Sequence, residues 1–350
     1  LSIIELSGEQ RRQLIDTQQV YEVWREAHQE ANRRFGGGMR WKEQNRTEYL
    51  LRKTGLSEKS LGPRSPETEA AYQAFTKGRD ENKRRLEGLS LRLDQLAPVN
   101  RAMRLGRVPL VAAKILRKCD EYSLVGEQLI VAGTNALFAY EILAGVQAQS
   151  NMLATGDIDL LYDARRHISL AIKGDLPPDG LVGLLRKVDE SFDPIRPRAF
   201  RASNRDGYLV DLIRPEAKDV FRDNLPTSLT DHSDDLEGAA IFGLSWLVNS
   251  PRCESVAIDD RGYPVRMVVV DPRVFALHKA WLSTREDRER LKAKRDLEQA
   301  KFAAAIAVQY LRLPFASKDL EALPGSLRKL APELSRTIEA VSEHSTKPNW

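Results

Sequence analysis

Apolar residues recur at helical intervals in the first third of the chain, with Leu14, Tyr21, Trp24, Ala27, Ala31 and Phe35 on one stripe. Ser7 and Gln10 have the spacing of a capping box and predict where this helix opens; Gly36-Gly37-Gly38 predicts where it stops. A second helical segment is expected near Lys42–Lys53. Beyond the loop Leu61-Gly62-Pro63-Arg64, Ser65 suits an N-cap, Pro66 the first helical position and Glu67 the positive end of the helix dipole. The long helix that follows carries Tyr72, Phe75, Leu86, Leu89, Leu93 and Leu96 on one side, and Pro98 is expected to end it. Helical pattern resumes from Asn100 to about Tyr122, with a break at Pro109. Residues 1–123 therefore read as a helical N-terminal domain.

The pattern changes over 124–235. Leu129-Ile-Val-Ala132 is a short apolar strand ending at Gly133-Thr134, and Asn135–Gly145 reads as a helix. A loop is expected over 146–155. Asp157–Tyr162 alternates polar and apolar over its first four residues, as a strand does. A helix is expected over Gly180–Glu190, and two strands, Ala199–Ser203 and Tyr208–Ile213, flank the turn Asn204-Arg-Asp-Gly207. In the remaining stretch, 236–350, Glu254–Ile258 and Val265–Val270 read as a hairpin around Asp259-Asp-Arg-Gly262. Pro272 opens a helix through Ser283, and a charged helical segment, Glu286–Gln299, runs into Phe302-Ala-Ala-Ala-Ile-Ala-Val308. The last twenty residues or so read as a helix and a frayed tail. The fold class is α+β: a mixed-sheet core with N-terminal and C-terminal helical regions.

With 350 residues the chain is long enough for two or three domains, and no apolar run approaches the roughly 20 residues of a membrane span. The opening Leu1-Ser-Ile-Ile-Glu-Leu6 is too short and too acidic to predict a signal peptide. Cys119 and Cys253 give neither metal spacing nor a disulfide framework, which predicts a reducing cytoplasm. Residues 1–105 hold 20 Lys+Arg against 15 Asp+Glu, whereas the remainder holds 34 against 35. A basic N-terminal third hints at a polyanionic partner, although a solvated helical face explains it equally well. None of the histidines (His28, His167, His232, His278, His344) has zinc spacing, and no Walker loop or G-x-S-x-G occurs.

Asp157-Ile-Asp159-Leu160 carries the most chemistry. Residues two apart in a strand share a face, so two carboxylates repel each other there while Ile158 and Leu160 face the core. A hard divalent cation relieves that repulsion, and Mg²⁺ is commonly held by one or two carboxylates plus phosphate oxygens. The plain alternative is a surface strand with two solvated acids. Upstream, Val131-Ala-Gly133-Thr134 is a strand, a glycine, a hydroxyl and then a helix start, which suits a phosphate; an ordinary strand-to-helix turn is equally compatible. Downstream, Asp211 interrupts the apolar Tyr208-Leu-Val-Asp-Leu-Ile213. A buried lone carboxylate is costly unless paired or metal-bound, so Asp211 is a metal ligand, an outward residue of an edge strand, or the partner of an arginine.

In this order, the three elements resemble the polymerase-β-type nucleotidyltransferases. Val131–Tyr140 and Ala154–Leu161 are similar to a poorly characterised bacterial nucleotidyltransferase-fold branch akin to abortive-infection toxin nucleotidyltransferases. The resemblance covers 129–213 well and 264–300 moderately. It departs at Gly133-Thr134, where many members have Gly-Ser or Gly-Gly, and in the longer gap to Asp157. It implies Mg²⁺ or Mn²⁺ on Asp157, Asp159 and Asp211, an NTP co-substrate, and pyrophosphate leaving toward Gly133 and Thr134. It further implies a nucleotide-binding lysine at Lys279, in Phe275-Ala-Leu-His-Lys279-Ala-Trp281, and a Lys-Asp element at Lys294 and Asp296 with Arg295 inserted. The plain alternative for this second element is a simple helical pair of Lys292 with Asp296.

The expected reaction is transfer of a nucleoside monophosphate to an acceptor. RNA with a tRNA-like end is preferred because Arg33, Arg34, Arg40, Trp41, Lys42, Arg46, Arg52 and Lys53 interleave basic and aromatic residues. Two alternatives stay open. One is a small-molecule or protein acceptor; the other is a non-catalytic nucleotide-binding regulator on the same fold that acts with a protein partner. A membrane role is not expected.

Overall fold

Where the sequence suggests a helix near Lys42–Lys53, the chain forms three antiparallel strands: β2 (Gly38–Gln44), β3 (Thr47–Thr54) and β4 (Ser57–Pro63). The reason is local. Gln44 pairs with Thr47, leaving Asn45-Arg46 as a two-residue loop with φ of 53° and 61°, and positive φ at both central positions is what a type I′ hairpin turn requires. The computed structural model describes residues 3–55, 57–148, 150–153, 155–166, 176–177, 179–217 and 225–336. These fall into two compact units, one of Arg12–Leu105 with Arg261–Pro264 and one of Leu1–Arg11, Gly106–Asp260 and Val265–Trp350. The division differs from zones bounded at 123 and 235, because the helix over 110–121 and the C-terminal helices pack with the central sheet. His167 and His344 lie outside the described residues, as does the expected tail beyond 336.

In the first of these units the sheet lies against α2 (Pro66–Ala102). Trp41 packs on Tyr72 with centroids 5.9 Å apart, Leu50 is fully buried, and the Arg52 guanidinium lies 4.4 Å over the Phe75 ring. Ser65 caps α2 in a reciprocal box with Thr68, and Pro66 stands in the first turn. Pro98 does not end this helix: it sits one turn before the end and costs one backbone hydrogen bond, and the helix continues to Ala102. Along α1 (Gly8–Arg34), Thr17 and Gln13 both donate to Asn100 Oδ1, and Asn82 donates to Ala27 O at 2.9 Å. These bonds tie the two long helices together, although Asn82 Oδ1 is buried without a hydrogen-bond partner among the described residues.

The larger unit contains the mixed sheet. Its order is β5 (Leu129–Ala132), β7 (Asp157–Tyr162), β10 (Leu209–Pro215), β9 (Arg201–Ser203) and β8 (Asp193–Pro194), with β11 (Ala239–Ile241) parallel to the far end of β10. β10 and β7 are parallel; β5 with β7 and β9 with β10 are antiparallel. The loop expected over 146–155 contains β6 (Val146–Ala148), which pairs with β1 (Ile3–Glu5), and a short helix, α5 (Ser150–Leu153). Ahead of them, Ser7 N donates to Gln10 Oε1 at 2.9 Å and Gln10 N to Ser7 Oγ at 3.2 Å, forming the capping box of α1.

Helices α3 (Leu110–Glu121), α4 (Ala136–Ala144) and α6 (Gly180–Val188) cover the sheet, and α7 (Leu244–Val248) packs against β10. The paired strands β12 (Arg252–Ile258) and β13 (Pro264–Val270) lead into α8 (Pro272–Ser283), capped by Asp271. Tyr140 on α4 donates to Val270 O at 2.8 Å and meets Phe275 edge-on. The charged segment becomes helical only at Arg290, as α9 (Arg290–Ala305); in the turn before it Arg285 and Asp287 pair at 2.6 Å. Among the described residues no helix is long and apolar enough to cross a membrane.

Candidate active site

Strand alternation places the acids. Ile158 and Leu160 are fully buried, while Asp157 and Asp159 lie on the opposite, partly open face of β7. On the parallel neighbour β10, Asp211 stands in register with Asp159 and Leu209 with Asp157. Asp211 is buried, and being in register it shares the face and level of Asp159. On the other side β5 brings Ala132 opposite Asp159, so the Gly133-Thr134 turn starts beside that carboxylate. Gly133 has φ +58°, and a Cβ built there would lie 1.8 Å from Asp159 Oδ2. Only glycine allows the backbone and the carboxylate to stand this close.

The surrounding contacts fix this arrangement. Asn135 donates to Asp157 O at 2.7 Å and ties the start of α4 to β7. The Thr155 hydroxyl donates to Asp157 Oδ1. Buried Thr134 accepts from Gln299 Nε2 at 3.1 Å, and Gln299 also donates to Met152 O. Burial and the charge of Asp157 push the Asp159 carboxyl up to about 6, against the opposing charge of Lys279. Burial, with Asp157 and Asp159, also pushes the Tyr208 phenol up, so it stays protonated; its buried hydroxyl has no hydrogen-bond partner among the described residues.

Asp211 is held by an arginine. Arg201, opposite it on β9, donates to both carboxylate oxygens at 2.5 Å. Asp211 thus has an arginine partner, and its strand is interior rather than at an edge. Lys279 is buried on α8 and pairs with Asp296 Oδ1 at 2.7 Å, while Arg288 binds Asp296 Oδ2 at 2.8 Å. The helical pair Lys292–Asp296 does not form; Lys292 pairs instead with Glu289. Lys294 is exposed two residues from Asp296, on another side of α9, and makes no ion pair among the described residues. The structure thus groups Gly133, Asp157, Asp159, Asp211 and Arg201, with the charge of Lys279 reaching Asp159, and leaves Lys294 apart. His278 is buried, and its imidazole is pushed down to about 3 by burial and by Lys279.

A family profile described as nucleotidyltransferase matches residues 111–324. The chain belongs to this nucleotidyltransferase family. No curated protein and no solved structure matches it significantly. In this nucleotidyltransferase the matched span holds the acids, the glycine turn, Arg201, Lys279 and Asp296, and leaves out residues 12–105. Membership implies an NTP substrate and nucleotidyl transfer. The mixed sheet with helices packed on it is the α+β core expected from the sequence.

Arg201, Tyr208, Arg288 and Gln299 do not stand out in the sequence pattern. Arg201 is within reach of it: a hairpin around Asn204–Gly207 sets Arg201 opposite Asp211 once its register is counted. Gln299 and Arg288 meet their partners, Thr134 and Asp296, only through tertiary packing. Among the described residues no three His, Cys, Asp or Glu side chains stand close enough to hold a metal ion. Asp157 and Asp159 offer hard oxygens from adjacent positions of one face, a donor set that suits Mg²⁺ or Mn²⁺ completed by phosphate oxygens. Asp211, in register with Asp159, is held by Arg201 through both oxygens.

Proposed function

We propose that this nucleotidyltransferase moves a nucleoside monophosphate from an NTP to an RNA acceptor with a tRNA-like end, in a Mg²⁺- or Mn²⁺-dependent reaction centred on Asp157 and Asp159. The observation that carries the reading is the approach of Asp159 to the Gly133 backbone, with Asp157 on the same face and Asp211 in register. This joins a phosphate-accommodating turn to a carboxylate pair within one sheet. Asp157 and Asp159 would hold the divalent ion, which supplies charge neutralisation at the triphosphate when bound.

The acceptor hydroxyl oxygen bonds the α-phosphorus and passes its proton to solvent at the partly open face of β7. The bridging bond between the α- and β-phosphates breaks, and pyrophosphate leaves with the electron pair. Tyr208 offers an unpaired O–H donor beside the two acids. Lys279 supplies positive charge near Asp159, and Arg201 is a second cation able to turn from Asp211 to a phosphate. The preference for RNA rests on the basic balance of residues 1–105.

The test supplies labelled NTPs with total RNA, with protein extract and with no acceptor, beside the Asp157→Ala/Asp159→Ala double variant. Label entering RNA and lost in the variant supports the reading and names the nucleotide. Label in protein or a small molecule keeps the chemistry and replaces the acceptor. NTP binding without incorporation in any mixture sinks the enzymatic reading in favour of a nucleotide-binding regulator.

A further inference from the structure

The three-stranded sheet has two unlike faces. Trp41, Leu50 and Arg52 alternate onto the side packed against Tyr72 and Phe75 of α2. The alternate positions Arg40, Lys42, Tyr49, Leu51 and Lys53 therefore lie on the other side. The strand register pairs Lys42 with Tyr49 and Arg40 with Leu51, and puts Lys53 at the end of the same row. Arg40, Lys42 and Lys53 are exposed; Tyr49 and Leu51 are half-buried among them. Arg40 is partly neutralised by Glu58 at 2.9 Å, whereas Lys42 and Lys53 make no ion pair among the described residues. Tyr49 on the central strand has Lys42 directly opposite it on β2 and Lys53 four residues along its own strand, roughly 13 Å away; Lys53 faces Glu58 in the β3–β4 register. An aromatic ring with a cation beside it and a second further along one strand matches what a single-stranded nucleic acid presents: a base to stack and phosphates along the backbone.

We propose that this open face binds single-stranded RNA, with a base stacked on Tyr49 and backbone phosphates held by Lys42 and Lys53. The assignment rests on the RNA-acceptor reading and gives that acceptor a docking surface outside the carboxylate centre. Charge sets the class of partner. The unit of residues 12–105 and 261–264 carries 20 Lys+Arg against 13 Asp+Glu, so its excess is larger than the +4 of the whole chain. Stacking on Tyr49 requires unpaired bases, which favours a single strand over a duplex.

The experiment is fluorescence anisotropy of a labelled 12-nucleotide single-stranded RNA titrated with the full chain at several salt concentrations. Tyr49→Ala is expected to weaken binding by about 10-fold, as loss of one stacked base does, and Tyr49→Phe to bind like the parent. Lys42→Gln/Lys53→Gln is expected to flatten the slope of log affinity against log salt by about 1.4, for two phosphate contacts on a single strand. This surface variant leaves the core untouched and decides the matter if Tyr49→Ala unfolds. Asp157→Ala/Asp159→Ala is expected to bind RNA unchanged, because the acids are not part of this surface. The proposal is overturned if the parent does not bind, if neither sheet variant changes binding, if the aspartate variant abolishes it, or if duplex RNA, single-stranded DNA or an acidic peptide binds more tightly. Tyr49-dependent binding with no label entering RNA leaves the docking surface standing and removes RNA as acceptor.

Discussion

Asp159 Oδ2 occupies the space in which Gly133 would carry a Cβ: the two positions are 1.8 Å apart, and Gly133 has φ +58°. A side chain at 133 would push the carboxylate out of line with Asp211 and would itself be strained at positive φ, at about 1–2 kcal/mol. Gly133→Ala is therefore expected to lower stability by at least that amount and to cut nucleotide incorporation by 10-fold or more. Combining it with Asp159→Ala removes the collision and should recover part of the stability without activity. Urea denaturation of the four proteins checks this; additive losses in the double variant would show that the two positions do not compete for space.

The Asp159 carboxyl is pushed up to about 6 by burial and by Asp157, from an ordinary value of 3.8. A folded state that binds this proton more tightly than the unfolded chain gains stability at low pH. That gain is complete below about 3.8 and disappears as pH rises through 6. In metal-free buffer Asp159→Asn, which cannot ionise, should therefore become more stable relative to the parent between pH 4 and 7, by roughly 2 kcal/mol. Equal pH dependence of parent and variant in chemical denaturation would remove Asp159 as the strained acid.

Arg201 holds both oxygens of the buried Asp211 at 2.5 Å. Removing one partner leaves the other charge unpaired, so Arg201→Ala is expected to cost about 3 kcal/mol, and Arg201→Ala/Asp211→Asn considerably less. If the arginine competes with a cation for Asp211, Arg201→Ala should also bind Mn²⁺ more tightly in calorimetry. Unchanged Mn²⁺ affinity would mean that Asp211 is structural in this enzyme.

Much of this site is legible in the sequence because strand periodicity is strict. Two acids two residues apart share a face, and Gly133, Thr134, Asp157, Asp159 and Asp211 fall on the expected strands and turn. What escapes is long-range. Nothing local tells that Lys279 is tied to Asp296 with Arg288 on its other oxygen, or that Gln299 reaches Thr134 across 165 positions. The three-stranded sheet reads as helix because Lys42-Glu-Gln-Asn-Arg-Thr-Glu is polar throughout and its turn lacks the glycine that usually marks a two-residue hairpin loop. Pro98 misleads in the opposite direction, since a proline near the end of a long, well-packed helix costs less than ending the helix would.

Lys279 is buried, and its only counter-ion at hydrogen-bond distance among the described residues is Asp296, shared with Arg288. Lys279→Ala is expected to destabilise the fold by about 3 kcal/mol. If Lys279 also serves the triphosphate, the KM for NTP should rise at least 10-fold at a temperature where the variant is folded. Lys279→Met keeps the side-chain volume but not the cation, and Arg288 still pairs Asp296, so it should regain stability and keep the high KM. A KM that recovers together with stability would confine Lys279 to a structural role.

The turn between β2 and β3 offers a test free of the active site. Asn45 and Arg46 have φ of 53° and 61°, and a residue with a Cβ is disfavoured in that region whereas glycine is not. Arg46→Gly supplies the Asn-Gly pair preferred in such turns. The substitution should stabilise the hairpin by about 0.5–1 kcal/mol, partly offset by the greater freedom of glycine in the unfolded chain. Amide hydrogen exchange across β2 and β3 should then slow by roughly two- to fivefold, since the exchange rate follows the opening free energy. Faster exchange after the substitution would mean that Arg46 makes a contact worth more than the strain it carries.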